Sequence, residues 1–278
     1  MRTEFLTIFW RDMLKFFRIK AMLFTSLIQP ALWLALYGIS MSSNFDLIIP
    51  EIPISQGFTQ VNYLTFMAAG VISLTILFTC LYSGITLQFD KEFGLMKEML
   101  ASPLPRSHIL IGLSLSGITK SLIQTLIIIV FGYVLGVRFF NTFSLMETVV
   151  SVLGILLFIL LFAIGLLFLS STIALRLKTH EGLQGVITLL SLPLFFASNA
   201  LYPITSLPWA IRIISYGNPV SYFIQGLRYF TLGSNFYSFG NYYQYSSFDV
   251  LFALLFLLGF AIITYLFALR TIKKVKIV

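Results

Sequence analysis

Residues whose types could do chemistry are few in this chain, and their spacing fits no catalytic constellation. His108 and His180 stand in separate segments, neither with a pair of carboxylates beside it, so neither a metal triad nor a general acid and base can be read there. His180 next to Glu181 reads as a solvated turn. Cys80 is the single cysteine, which excludes a disulfide within the chain and a thiolate metal cluster. A nucleotide-driven motor needs a loop of the type G-x-x-x-x-G-K-[ST], in which backbone amides and a lysine cradle phosphates. The nearest string, Gly117 to Ser121 (GITKS), lacks the glycine before its lysine and lies in an apolar run. Most apolar runs hold no acid or base at depth, a feature that proton- and ion-coupled carriers commonly need. The residues therefore predict no catalytic group, no metal site and no cofactor in this chain, and moving parts that are driven from elsewhere.

One segment suits mechanical work instead. Between Phe89 and Ser107, the residues Phe93, Met96 and Leu100 share a helical face, Lys91, Lys97 and Glu98 are solvated neighbours, and Ser102, Pro103 and Pro105 end the helix. Periodicity alone fits a handle for a cytoplasmic partner and an ordinary interfacial loop helix equally well.

The elements that must hold this helix are read from composition and charge. Hydrophobic residues make up 58% of the chain and charged residues 10%, with a mean hydropathy of +0.95, whereas a soluble domain carries about a quarter charged residues. Six spans are predicted, at about 21–40, 61–88, 108–137, 144–175, 183–200 and 248–269. The fold class is all-α, a polytopic membrane protein with one transmembrane domain over 1–278. Residues 1–20 carry Phe5, Phe9, Met13, Phe16 and Phe17 at helical spacing, with Arg11, Lys15 and Arg18 on another face, which predicts an amphipathic interface helix and no removable signal peptide. Pro30 should kink the first span. Lys120 and Gln124 interrupt the third, where Lys120 is expected to snorkel to the headgroups. Residues 201–245 are semi-polar and rich in aromatics, proline and glycine, so they should form short re-entrant helices against protein or a watery cavity.

The net charge of +8 does not point to nucleic acid, because the basic residues flank the apolar runs and are not gathered into one patch. With six spans, Arg2, Arg11, Lys15, Arg18, Lys20, Lys91, Lys97, Arg106, Lys120, Arg176, Lys178, Arg270, Lys273, Lys274 and Lys276 fall on one side, and Arg138, Arg212 and Arg228 on the other. Met41 to Gln60 contains Asp46, Pro50, Glu51 and Pro53 but no lysine or arginine. The asymmetry predicts a cell-membrane protein with both termini cytoplasmic.

The stretch Lys91 to Val137, KEFGLMKEMLASPLPRSHILIGLSLSGITKSLIQTLIIIVFGYVLGV, resembles the core of the type-two ABC transporter permeases, particularly their daunorubicin-resistance-like branch. In that family an E-F-G-x-x-[KE]-x-[LM]-L-[AS]-[ST]-P string precedes the third span, and Glu92 to Pro103 fits it nearly throughout. Pro193 to Arg228, PLFFASNALYPITSLPWAIRIISYGNPVSYFIQGLR, is similar to the family's run from the fifth span through its outer re-entrant helices. The likeness covers essentially the whole chain.

The resemblance implies an export permease that pairs with a second permease copy, identical or related, and with two copies of an ABC ATP-binding subunit. The chain offers no room for a nucleotide-binding domain at either end, so ATP and Mg would be bound by that separate subunit. The segment 89–107 would carry the coupling helix, with Lys91, Glu92, Phe93, Gly94, Leu95, Met96, Lys97, Leu100, Ser102 and Pro103 as the ATPase-coupling set, and the N-terminal helix would dock there too. Substrate would pass between the two copies, past Phe78, Tyr82, Phe195, Phe196 and Asn199, although residue by residue these aromatics suit plain packing or lipid contact as well. Pro203, Pro208, Asn218, Pro219 and Tyr222 would shape the re-entrant turn. The implied cargo is a hydrophobic drug-like or lipid-like compound. The alternatives are a lipid-linked glycan or polysaccharide and, against the missing catalytic constellation, an ATP-independent carrier or membrane-embedded enzyme.

Overall fold

The computed structural model describes residues 4–45, 57–102, 104–141, 143–238 and 240–274. Pro103 and the acidic outer stretch with Asp46, Pro50, Glu51 and Pro53 lie outside the described residues. The chain is mostly helical. Four of its helices are long and apolar enough to cross a membrane: α4 (Tyr63–Glu92), α6 (Arg106–Leu135), α7 (Leu145–Arg176) and α11 (Ser247–Lys274). Before them come α1 (Glu4–Arg18), α2 (Lys20–Leu32) and α3 (Ile39–Phe45), the last two joined through the wider π turns of Trp33–Gly38. The shorter α5 (Leu95–Ala101), α8 (His180–Phe196), α9 (Trp209–Tyr216) and α10 (Pro219–Leu232) connect the long ones.

Local signals start and stop these helices where the residues dictate. Asn62 caps α4, its side chain accepting from the Thr65 amide at 3.1 Å. Ser144 and Glu147 form a reciprocal capping box at the start of α7. Thr179 caps α8, and Asn218 caps α10 with Pro219 at its first position. Gly136 ends α6 with φ +100°, a left-handed conformation in which a side chain would be strained. Pro30, expected to kink the first span, lies inside α2. Proline supplies no amide and its ring crowds the preceding turn, and the backbone passes into π turns from Trp33.

Helix α4 is the centre of the molecule. Every residue from Tyr63 to Leu81 is buried, and α4 touches α2, α6, α7, α8 and α10. Between apolar helices in lipid, close backbone approach and hydrogen bonds supply the cohesion that the hydrophobic effect supplies in water. Gly70 lets the Ala200 carbonyl come so near that an added Cβ would stand 2.5 Å from it. Gly84 similarly faces Ser170 of α7, whose hydroxyl accepts from the Gly84 amide at 3.1 Å and donates to the Leu81 carbonyl. Helix α11 lies along α7, and α10 packs against both, with Phe162 and Phe223 stacked at 4.4 Å between α7 and α10.

Two sequence expectations need correction here. The all-α class fits the mostly helical chain, but part of the outer segment 201–245, expected to form short helices, is strand: β1 (Thr59–Gln60), β2 (Asn235–Ser238) and β3 (Asn241–Gln244) form a three-stranded sheet in the order β1, β2, β3, with β1 parallel and β3 antiparallel to β2. The sheet joins the segment before α4 to the segment before α11. Its core is aromatic, with Phe236 and Tyr243 stacked at 4.8 Å. The second correction concerns α4, which runs four residues past the predicted span limit of 88. Lys91 and Glu92 are therefore its own last turn and not the start of a separate coupling helix.

Candidate functional site

The last turn of α4 gathers several of the chain's charged residues into one joint. Consecutive residues of an α-helix leave the axis about 100° apart, so Asp90, Lys91 and Glu92 point in three directions. Each holds a different element. Asp90, 1% exposed, pairs with Arg11 and, at 3.3 Å, with Lys15, both on α1. Lys91 Nζ donates to the carbonyls of Leu175, at 3.1 Å, and Leu177, satisfying orphan acceptors at the end of α7. Glu92 Oε1 accepts from the His180 amide at 3.0 Å, the first amide of α8, and its Oε2 lies 2.9 Å from His180 Nδ1.

The electrostatics follow from these contacts. Hydrogen bonding from the His180 side chain holds the Glu92 carboxyl below the ordinary carboxylate range, against a smaller opposing effect of burial. Partial burial lowers Lys91, with the neighbouring Glu92 acting against that shift. His180 Nε2 also meets Glu181 at 3.1 Å, and the Phe89 ring lies 5.0 Å from the imidazole. The ligand-capable atoms of Glu92, His180 and Glu181 stand within 4.8 Å of one another, a grouping that could hold a cation. The two imidazole nitrogens of His180, each facing one carboxylate, account for the same geometry without one.

From this joint hangs α5. Gly94, with φ +83°, makes the left-handed turn that separates it from α4. Met96 is buried and Leu100 half-buried against the core, while Leu95, Lys97 and Glu98 are exposed. Phe93 departs from the predicted face. It sits before the glycine turn, stacks on Phe89 at 5.9 Å and is 76% exposed, the apex of the loop. Ser102 closes α5, its amide bonding the Glu98 carbonyl at 3.1 Å and its hydroxyl the Met99 carbonyl at 2.7 Å.

Helix α1 is docked by two buried ion clusters, the second of which corrects the expectation for Lys120. That lysine does not snorkel. It is 9% exposed and pairs at 2.6 Å with Asp12, itself 1% exposed, which also accepts from Ser116. Phe16 lies against the same ammonium, its ring centroid 5.6 Å away. Gly112 of α6 admits the α1 backbone at Phe5. Asp12, Asp90 and His180 were not singled out from the sequence as functional residues. An acid inside an otherwise basic amphipathic helix, and another at the end of an apolar run, were the available signals.

The predicted pathway residues separate into two ring clusters. Phe78 and Tyr82 pair at 5.9 Å on α4, and Trp33 touches Phe195 and Phe196 at 6.1 and 6.0 Å. Phe78, Phe195 and Asn199 are buried within the protomer, while Tyr82 and Phe196 reach its surface. The predicted turn residues act as punctuation. Pro203 opens a 3-10 turn (Ile204–Ser206), Pro208 precedes α9, and the Asn218 amide group donates to the Leu194 carbonyl at 2.6 Å. The Tyr222 hydroxyl donates to Tyr216 at 2.7 Å, and its ring lies 4.1 Å from that of Phe256 on α11. Arg228, assigned from the sequence only to the outer side of the membrane, is fully buried, its guanidinium 3.4 Å from the Phe66 ring centroid and bonded to the Ala200 carbonyl at 3.1 Å.

Comparison with known proteins brings this geometry into a family. A family described as ABC-2 type transporter matches residues 3–232. The ycf38 protein of Cyanophora paradoxa, which carries the name of a transport permease, is 30% identical over 258 residues, covering 92% of this chain and 84% of that protein. The inner membrane transport permease YadH of Escherichia coli K12 is 27% identical over 215 residues, 76% of this chain and 77% of YadH. DrrC of Mycobacterium tuberculosis, named for doxorubicin resistance and as an ABC transporter permease, is 30% identical over 154 residues, 55% of this chain and 52% of DrrC.

Proposed function

The chain belongs to the ABC-2 type transporter family, as a multi-pass membrane permease, and from that premise we propose that it is the transmembrane half of an exporter whose motor is a separate ATP-binding subunit. Two copies of the permease, or this chain and a related one, enclose the substrate path. Two motor subunits, binding ATP and Mg, engage α5 and the exposed Phe93 from the cytoplasm. The continuous helical run from α2 to α3 and the shorter α8 cross the membrane with the four long helices, which makes six spans and puts both termini in the cytoplasm of a cell-membrane protein. Helices α9 and α10 are the outer re-entrant pair.

The observation that carries this reading is the joint itself. One turn of α4 is bonded to α1, α7 and α8, and a loop with an exposed phenylalanine projects from it. A push on Phe93 is therefore delivered to several helices together, which suits a lever. Closure of the motors would rotate α4 and α8 as a unit and alternate the path between inward and outward access. Tyr82 and Phe196, the exposed members of the expected pathway, are the first candidates for its wall. The name of DrrC favours a hydrophobic drug-like or lipid-like cargo over a lipid-linked glycan.

Phe93→Asp is the clean test, because the side chain is 76% exposed and its loss leaves the core intact. The variant should insert and fold normally, yet fail to copurify with the ATP-binding subunit and to support ATP-driven export from vesicles. Normal copurification and normal export would overturn the lever assignment.

A further inference from the structure

The opposite end of α4 from the joint, about 45 Å away for a helix of this length, holds a cavity of about 450 Å³. It opens between the β1 segment, the start of α4, the turn after α6 and the end of α10. Its wall is built for hydrogen bonding, with Gln60, Asn62, Thr65, Arg138, Asn141 and Thr231 among the lining residues and no carboxylate among the described ones. Asn62 commits its carbonyl oxygen to the Thr65 amide, which leaves its amide nitrogen as a donor. The Arg138 guanidinium is exposed at the rim and enters none of the ion pairs found among the described residues.

A second cation lies beneath this wall. Arg228 is one turn before Thr231 on α10 and covers Phe66, the neighbour of Thr65 on α4. It is fully buried beside Tyr243 and Tyr245, and it too enters none of those ion pairs; its Nε and Nη1 have no hydrogen-bond partner within normal distance among the described residues. Two guanidinium charges without a paired acid, one at the rim and one below the floor, make the cavity electropositive. Its level matches the end of the bilayer-crossing helix, where lipid headgroups lie. The outward face of α6 leading to the rim is apolar, with Leu126, Val130 and Val134 exposed.

We propose that this cavity binds a phosphate group, carried by the headgroup of a membrane phospholipid whose chains lie along α6. Arg138 and the amides of Asn62 and Asn141 hold the phosphate oxygens, and Arg228 adds a fixed field from below. The assignment does not depend on the export reading, since it needs neither motor nor transport.

The test titrates the detergent-solubilised full chain with dihexanoyl-phosphatidylglycerol and, separately, with inorganic phosphate, following ³¹P line width. Wild type is compared with Arg138→Gln and with Arg212→Gln, an arginine that does not line the cavity. The short-chain lipid should bind wild type and Arg212→Gln alike, and Arg138→Gln about tenfold or more weakly, the loss expected for one charge-assisted contact. Inorganic phosphate binding as tightly, with the same dependence on Arg138, would overturn the lipid source and leave a free-anion site. Equal binding of both probes to wild type and Arg138→Gln, at unchanged melting midpoint, would overturn the site.

Discussion

Replacing Asp12 by asparagine should release α1 from the bundle. The substitution keeps the shape of the side chain and its bond from Ser116, and it removes only the charge that faces Lys120 at 2.6 Å. Lys120 is 9% exposed, so its ammonium is left buried without a partner. Removing one member of such a pair costs about 3–5 kcal/mol. At about 1.4 kcal/mol per factor of ten, the population with α1 undocked should rise at least about a hundredfold. A cysteine placed at Ile8, a position 7% exposed, would report the change through its rate of maleimide labelling in membranes. Cys80 does not interfere, being fully buried. When reclosing is fast, the labelling rate follows the open population, so Asp12→Asn should label about a hundredfold faster than its parent. The apolar pair Asp12→Leu with Lys120→Met should return close to the parent rate, because a buried ion pair replaced as a whole by hydrophobic side chains costs little. Equal rates for Asp12→Asn and its parent, or a double variant that labels as fast as the single, would refute the argument.

Two further outcomes follow from the joint and the core. Glu92→Gln should lower the melting midpoint of the solubilised chain at neutral pH, and the difference from wild type should vanish in acid. The Glu92 carboxyl is held below its usual value of 4.5, so its contribution is present above that pH and is lost as pH falls through the lowered value. Lys91, His180 and Glu181 are the charged or titratable groups nearest to it, and a difference that stays constant from neutral pH into strong acid would contradict the assignment. Gly70→Ala should destabilise the fold by about 1–3 kcal/mol, the usual cost of overpacking, because the added methyl meets the Ala200 backbone carbonyl at 2.5 Å. An unchanged thermal midpoint would mean that the turn at Ala200 yields freely.

The long helices were legible because composition and length decide them. Apolar runs bounded by Asn62, Ser144 and Gly136 became α4, α7 and α6, with the caps that those residues supply. The hairpin was missed, although Phe236, Tyr237, Tyr242 and Tyr243 flank Gly240, whose φ is +86°. Within a segment assigned to broken helices, that strand signal was outweighed. The string from Glu92 to Pro103 was legible by resemblance, but the joint at its start was not. Glu92 belongs to it, whereas its partner His180 lies 88 positions along the chain, and no local pattern links them. The same holds for Asp12 with Lys120, which are 108 positions apart. Lone charges next to apolar runs read as solvated, and only the packing shows that each had a counterpart on another helix. The burial of Arg228 was not legible for the related reason that nothing next to it in the sequence shows that Phe66 covers it.

The three attachments on the final turn of α4 carry an implication for how this chain can vary. Because Asp90, Lys91 and Glu92 grip their neighbours in rotational sequence, deleting or inserting a single residue upstream in the helix would swing all three about 100° out of phase. The start of the same helix is fixed as well, by Asn62 and by the Ala200 turn pressed against Gly70. The distance and the phase from Asn62 to Glu92 thus form a ruler that tolerates no change of length.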